Sequence, residues 1–170
     1  MGKKSAFLIV FALTLGFSIA ALALHEIVPS ETQAVLPGAN AEKLNEYIVR
    51  FDPYRAWPLF PGKERLSKGA EPHGVLVTTL LNDTALSSIK KKEAADGSII
   101  VLENYTADKK FTGLSVMYKI KGYNPAGGDW FWVQYAPDGK AETWGRVKEC
   151  IDCHGKMKES DYLFDVKKEK

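Results

Sequence analysis

The chain of 170 residues contains two cysteines, three histidines and three methionines. Both cysteines fall in one run, Cys150-Ile151-Asp152-Cys153-His154. Two thiols at this spacing can each add to one vinyl group of a haem, and the adjacent imidazole then lies beneath the iron as an axial ligand. A thiol–disulfide pair of the thioredoxin kind belongs after a strand in a βαβ setting, whereas this run follows a predicted β-hairpin. Structural zinc lacks ligands, because the remaining histidines are His25 and His73. The pattern predicts one covalent haem c, held by Cys150 and Cys153, with His154 on the iron.

Three side chains are candidates for the sixth coordination position, and each has a competing structural role. Met117 lies in the strand-like run Leu114-Ser115-Val116-Met117-Tyr118, where a thioether commonly fills core. Met157 follows His154 by three residues, which places it on the attachment side. His73 stands at a strand start after Pro72, a common place for a hydrogen-bonded structural histidine. Trp130-Phe131-Trp132 and Tyr135 can stack on a porphyrin or fill a core. No nucleophile elbow and no phosphate loop is present, so hydrolase and kinase chemistry has no support.

The elements that position these residues are readable from periodicity. Leu44, Tyr47, Ile48 and Phe51 share one helical face, with Asn40 as a candidate N-cap and Pro53 beyond the last turn. Prolines 53, 58, 61 and 72 make the next stretch an ordered loop anchored by Trp57 and Phe60. His73 to Leu81 reads as a strand, and Asn82 or Asp83 caps a short helix bearing Leu86 and Ile89. Strands follow at about Ser98 to Tyr105, Phe111 to Ile120 and Trp130 to Ala136, with a partner strand ending near Trp144. Connections too short for crossover helices require a largely antiparallel sheet. The predicted fold is α+β, with flanking helices and the attachment motif near the carboxyl terminus.

Hydrophobic residues form 45% of the chain, enough to close one core around a cofactor. The formal net charge of +2 resides in Lys3 and Lys4, so the rest is balanced and carries no footprint for nucleic acid. The runs Lys90-Lys91-Lys92 and Lys167-Lys168 are short, flanked by glutamates, and read as solvated surface. After Lys3 and Lys4 comes an uncharged run from Ser5 to Leu24, with the small residues Ala21-Leu22-Ala23 that a signal peptidase accepts. Residues 1–24 are therefore a signal peptide or an amino-terminal membrane anchor, 25–39 a linker, and 40–170 one domain. That domain is expected in the periplasm or on the outer face of the cytoplasmic membrane.

The ordered stretches Pro72-His73-Gly74, Asp96 to Tyr105, Val116-Met117-Tyr118-Lys119 through Gly122-Tyr123-Asn124-Pro125, Gly128-Asp129-Trp130-Phe131-Trp132, and the haem motif with Asp161-Tyr162-Leu163-Phe164 cover most of the domain. In these the chain resembles the cytochrome P-460 family, which also includes the cytochromes c′-beta. The resemblance implies a mainly antiparallel β protein, often dimeric, with one haem near the carboxyl terminus and a free distal coordination site. It also implies chemistry on small nitrogen ligands: hydroxylamine oxidation in the P-460 enzymes, nitric oxide binding in the c′-beta proteins. One departure is informative. The lysine that P-460 enzymes cross-link to the porphyrin falls where this chain has Leu102, which cannot form that bond. Leu102 shares a strand face with Ile100 and Asn104, and an apolar residue pointing at the haem there favours a neutral diatomic over a polar substrate. Ile100, Val75, Val77, Phe60 and His73 are further candidates for the distal pocket. The leading expectation is an exported cytochrome that binds nitric oxide or a similar small ligand. Hydroxylamine or nitric oxide turnover, and six-coordinate electron transfer to a redox partner protein, are the alternatives.

Overall fold

The computed structural model of the protein describes residues 35–164, apart from Lys92 and the side chain of Lys90. The predicted targeting segment 1–24 and most of the linker lie outside the described residues. Helix α1 spans Ala41–Glu46, and the Asn40 side chain caps it by accepting from Lys43 N at 2.9 Å. The chain then widens into a π-type turn over Tyr47–Phe51. That widening changes one expectation. Leu44 and Ile48 are fully buried, but the extra residue per turn swings Phe51 off the apolar face, and it is 62% exposed.

Six strands form one antiparallel sheet in the order of the sequence: β1 Ser67–Lys68, β2 Leu76–Leu81, β3 Ile99–Tyr105, β4 Phe111–Lys119, β5 Trp130–Tyr135 and β6 Ala141–Gly145. The predicted α+β class holds. β1 lies within the stretch read as loop, where two residues are too few to show a period. The strand expected from His73 begins at Leu76, which leaves His73 in the preceding turn.

Alternation along the strands gives the sheet two faces of different character. On one, Leu80, Ile99, Val101, Val116, Phe131 and Val133 pack against α1, Tyr54 and Trp57. This face also buries Glu103, whose carboxylate accepts from Tyr54 Oη at 3.2 Å and Tyr105 Oη at 2.9 Å. Burial and that carboxylate push the Tyr105 phenol up to about 12. The opposite face carries Leu81, Ile100, Met117, Trp130 and Trp132, which pack with Phe60, Tyr162 and Leu163. The segment from Tyr54 to Phe60 passes around the sheet edge, bridging at Leu59 to Leu80, and so contributes to both faces.

Asn82 joins β2 to helix α2, Asp83–Ser88. Its buried Oδ1 accepts from Ala85 N and Ile99 N, each at 2.9 Å, and its Nδ2 donates to Gly97 O at 2.9 Å. Alanine at this position removes the cap and leaves a buried N–H and C=O unpaired. Asn82→Ala should therefore lower stability by about 3 kcal/mol. Urea unfolding should show a lower midpoint with unchanged slope.

Candidate functional site

The second face of the sheet is the floor of a cavity of about 880 Å³, near the upper end of the range for cofactor sites. One wall is helix α3, Lys148–His154. Residues at i, i+3 and i+4 lie on one helical side, so Cys150, Cys153 and His154 all line the cavity. Both cysteines are unpaired thiols. Burial, then Glu149 and Cys153, push the Cys150 thiol up, opposite to the depression that activates a thiol–disulfide catalyst. Among the described residues no three histidine, cysteine or acidic side chains converge as a metal cluster.

His154 is fixed by its own chain. Its Nδ1 donates to the Tyr162 carbonyl at 2.8 Å, and because a carbonyl only accepts, Nε2 is left with a lone pair. Burial holds this imidazole below the usual histidine range, outweighing the opposing effect of the carbonyl, so it is neutral and able to bind a metal. Presenting that carbonyl requires two consecutive left-handed residues, Asp161 at φ 53° and Tyr162 at φ 65°. Four contacts hold them there. Lys119 Nζ donates to the Asp161 carboxylate at 2.6 and 2.7 Å, and Ala94 N donates to it at 2.8 Å. Trp130 Nε1 donates to Asp161 O at 3.0 Å, and Tyr162 Oη donates to Ala126 O at 3.0 Å. The Tyr162 ring also lies over Gly128, where an added Cβ would come within 2.5 Å of it.

The floor is built by cross-strand neighbours. Leu102 pairs with Thr79 on β2 and Ser115 on β4, Ile100 pairs with Leu81 and Met117, and Met117 pairs with Trp132. Val77 extends the apolar surface. Trp132 packs 4.7 Å from the His154 ring centroid, and Phe164 stands 5.0 Å from it.

The third wall is the segment running from Phe60 to His73. His73 Nδ1 is 3.1 Å from Ser115 Oγ, which also receives Asn104 Nδ2 at 3.0 Å. Gly74 N donates to Asn104 Oδ1 at 3.1 Å and so fixes the amide's orientation. The His73 and His154 ring centroids are 6.3 Å apart, with planes at 85°. Burial, then His154, lower the His73 pKa.

Cys150, Cys153, His154, Leu102, Ile100, Val77, His73, Phe60 and Met117 thus share one cavity. Val75 does not line it: it precedes β2 and its side chain is 55% exposed. Met157 is half-buried in the turn after α3 and is also outside the lining. Sequence reasoning placed Asn104 on the face of Leu102 but did not single out Ser115 or the Lys119–Asp161 pair. Ser115 was findable as the residue two before Met117 on the same strand face, whereas Lys119 and Asp161 meet across 42 residues with no local signal.

The residues fit a haem. Two thiols and an imidazole project from one helical side into an apolar-floored cavity, while Lys68 and Lys156 at its lining are cations suited to propionates. Trp132 Nε1 is buried without a hydrogen-bond partner among the described residues, a donor that a bound group with acceptor atoms would satisfy. The family model for Cytochrome P460 matches residues 52–165, from the segment before β1 to the residue after Phe164. The chain belongs to the cytochrome P460 family. No curated protein matches it in sequence. Membership of the cytochrome P460 family makes the chain a haem-binding cytochrome, and the matched span contains every residue of the cavity.

Breaking the Lys119–Asp161 pair should both destabilise the protein and loosen His154. The side chains are 11% and 9% exposed. Lys119→Met leaves a nearly buried carboxylate without its cation, at a cost of about 3–5 kcal/mol. Urea unfolding reads that loss, and a shifted haem reduction potential reads the altered hold on the imidazole.

Proposed function

We propose that the protein is an exported monohaem c-type cytochrome that captures nitric oxide or a similar small ligand on the side of the cavity opposite His154. Thioethers to Cys150 and Cys153 would anchor the haem, and His154 would ligate it. The observation that carries this reading is the placement of both thiols and the Nε2 lone pair of His154 on one wall of a cavity with an apolar floor. A haem there supplies an iron that binds small ligands and changes oxidation state. The protein's own part is to present the imidazole through the Tyr162 carbonyl, to exclude water with Ile100, Leu102 and Met117, and to shape the approach with Phe60. Export is supported by Lys3 and Lys4 before the uncharged run from Ser5 to Leu24.

Hydroxylamine oxidation is the weaker reading, because Leu102 stands where the P-460 enzymes carry their cross-linking lysine. Electron transfer has one specific observation in its favour, the closeness of His73 to His154.

Covalent attachment should keep haem on the chain through denaturing electrophoresis, and Cys150→Ser or Cys153→Ser should remove or weaken that band. Haem freely extracted from the wild type by acid-acetone would end the c-type assignment. The reduced holoprotein should take up nitric oxide with a large spectral change, and hydroxylamine should drive little acceptor reduction. A spectrum indifferent to nitric oxide would favour electron transfer instead.

Leu102→Ala enlarges the floor and should change ligand association by several-fold, whereas the exposed Lys91→Ala should not. Equal rates for both variants would make Leu102 ordinary sheet surface and remove the argument drawn from it.

A further inference from the structure

Two imidazoles face one cavity in equivalent settings. His154 Nδ1 is held by the Tyr162 carbonyl, and His73 Nδ1 by Ser115 Oγ. A metal-ligating histidine characteristically donates its second ring nitrogen to a fixed oxygen, leaving the other to bind. Ser115 Oγ has two lone pairs and can accept from both Asn104 Nδ2 and His73 Nδ1, and in that tautomer His73 Nε2 carries the lone pair. Nε2 has no hydrogen-bond partner among the described residues. The distance agrees. Two imidazoles bound to opposite sides of one metal, each at about 2.0–2.1 Å, have ring centroids separated by twice that bond plus two ring radii, close to the observed 6.3 Å.

We propose that His73 is the sixth ligand of the resting haem, held by Ser115 and Asn104, and that a small ligand enters by displacing it. The inference rests on the proposed capture of a small ligand and adds its regulation. In the exchange the Nε2 lone pair of His73 leaves the coordination position, the incoming nitric oxide takes it, and no electron is gained or lost by the histidine. The free distal position that the family resemblance implies is then closed at rest. Met117 remains a floor residue, paired across the sheet with Ile100 and Trp132.

The test uses the full-length holoprotein. Ferric wild type should be low-spin, and axial imidazole planes near 85° predict a single large-g electron paramagnetic resonance feature in place of a rhombic three-line spectrum. His73→Ala should be high-spin, and added imidazole should restore the low-spin form, which shows that the cavity is intact. Ser115→Ala should raise the high-spin fraction. Association of nitric oxide should saturate with concentration in the wild type, at the rate at which His73 leaves. In His73→Ala it should remain linear and be about 10-fold faster or more at low ligand. A high-spin wild type that binds nitric oxide in a simple bimolecular step overturns the assignment of His73 while leaving ligand capture standing. A low-spin wild type whose His73→Ala variant turns high-spin yet refuses nitric oxide supports His73 as ligand and overturns ligand capture instead.

Discussion

The strict alternation of side chains along an antiparallel strand is the constraint on which this molecule depends. Every strand of the sheet contributes to two surfaces at once, and those surfaces are covered by different means. One is sealed by α1 and the aromatic residues Tyr54 and Trp57. The other meets α3 and the 60–73 segment at its margins and keeps a cavity between them. A one-residue slip between β3 and β4 would exchange Leu102 for Glu103 on the cavity floor. Glu103, with its two tyrosine donors, therefore also marks the register from the far side of the sheet.

The two walls differ in how their imidazoles are held. His154 is set by backbone: a carbonyl, two left-handed residues, and a nearly buried ion pair behind them. His73 is set by side chains of the floor, and its immediate support is a single hydroxyl. Backbone support of the first kind resists displacement because moving the carbonyl disturbs Trp130, Tyr162 and Lys119 together. Support through Ser115 can yield without breaking the sheet. The asymmetry fits one permanent and one exchangeable ligand.

Much of this was legible in the residues. Periodicity gave the five longer strands to within a few residues, and the motif at Cys150 to His154 falls on one wall of the cavity. The face shared by Ile100 and Leu102 followed from strand geometry alone. The remainder was hidden for physical reasons. Phe51 belongs to a helical pattern that continues in the sequence but not in space, because the turn widens to the π form. Val75 has the alternation of Val77 yet lies before β2 begins at Leu76, with its side chain outside the cavity. The Lys119–Asp161 and His73–Ser115 contacts join residues far apart in the chain, and no local pattern encodes such meetings.

The sequential order of the strands has a further consequence, for the order of assembly. Each of β1 to β6 pairs with its neighbour in the chain, so the sheet closes through local connections, the one between β2 and β3 carrying α2, and can form early. Helix α3 comes after the whole sheet in the sequence and contains no fully buried residue. The sheet can therefore pair before α3 is in place, and the two half-buried thiols are covered after it. Docking of α3 would then be a late step of folding, and the attachment proposed for Cys150 and Cys153 would act on a helix at the margin of a sheet already paired.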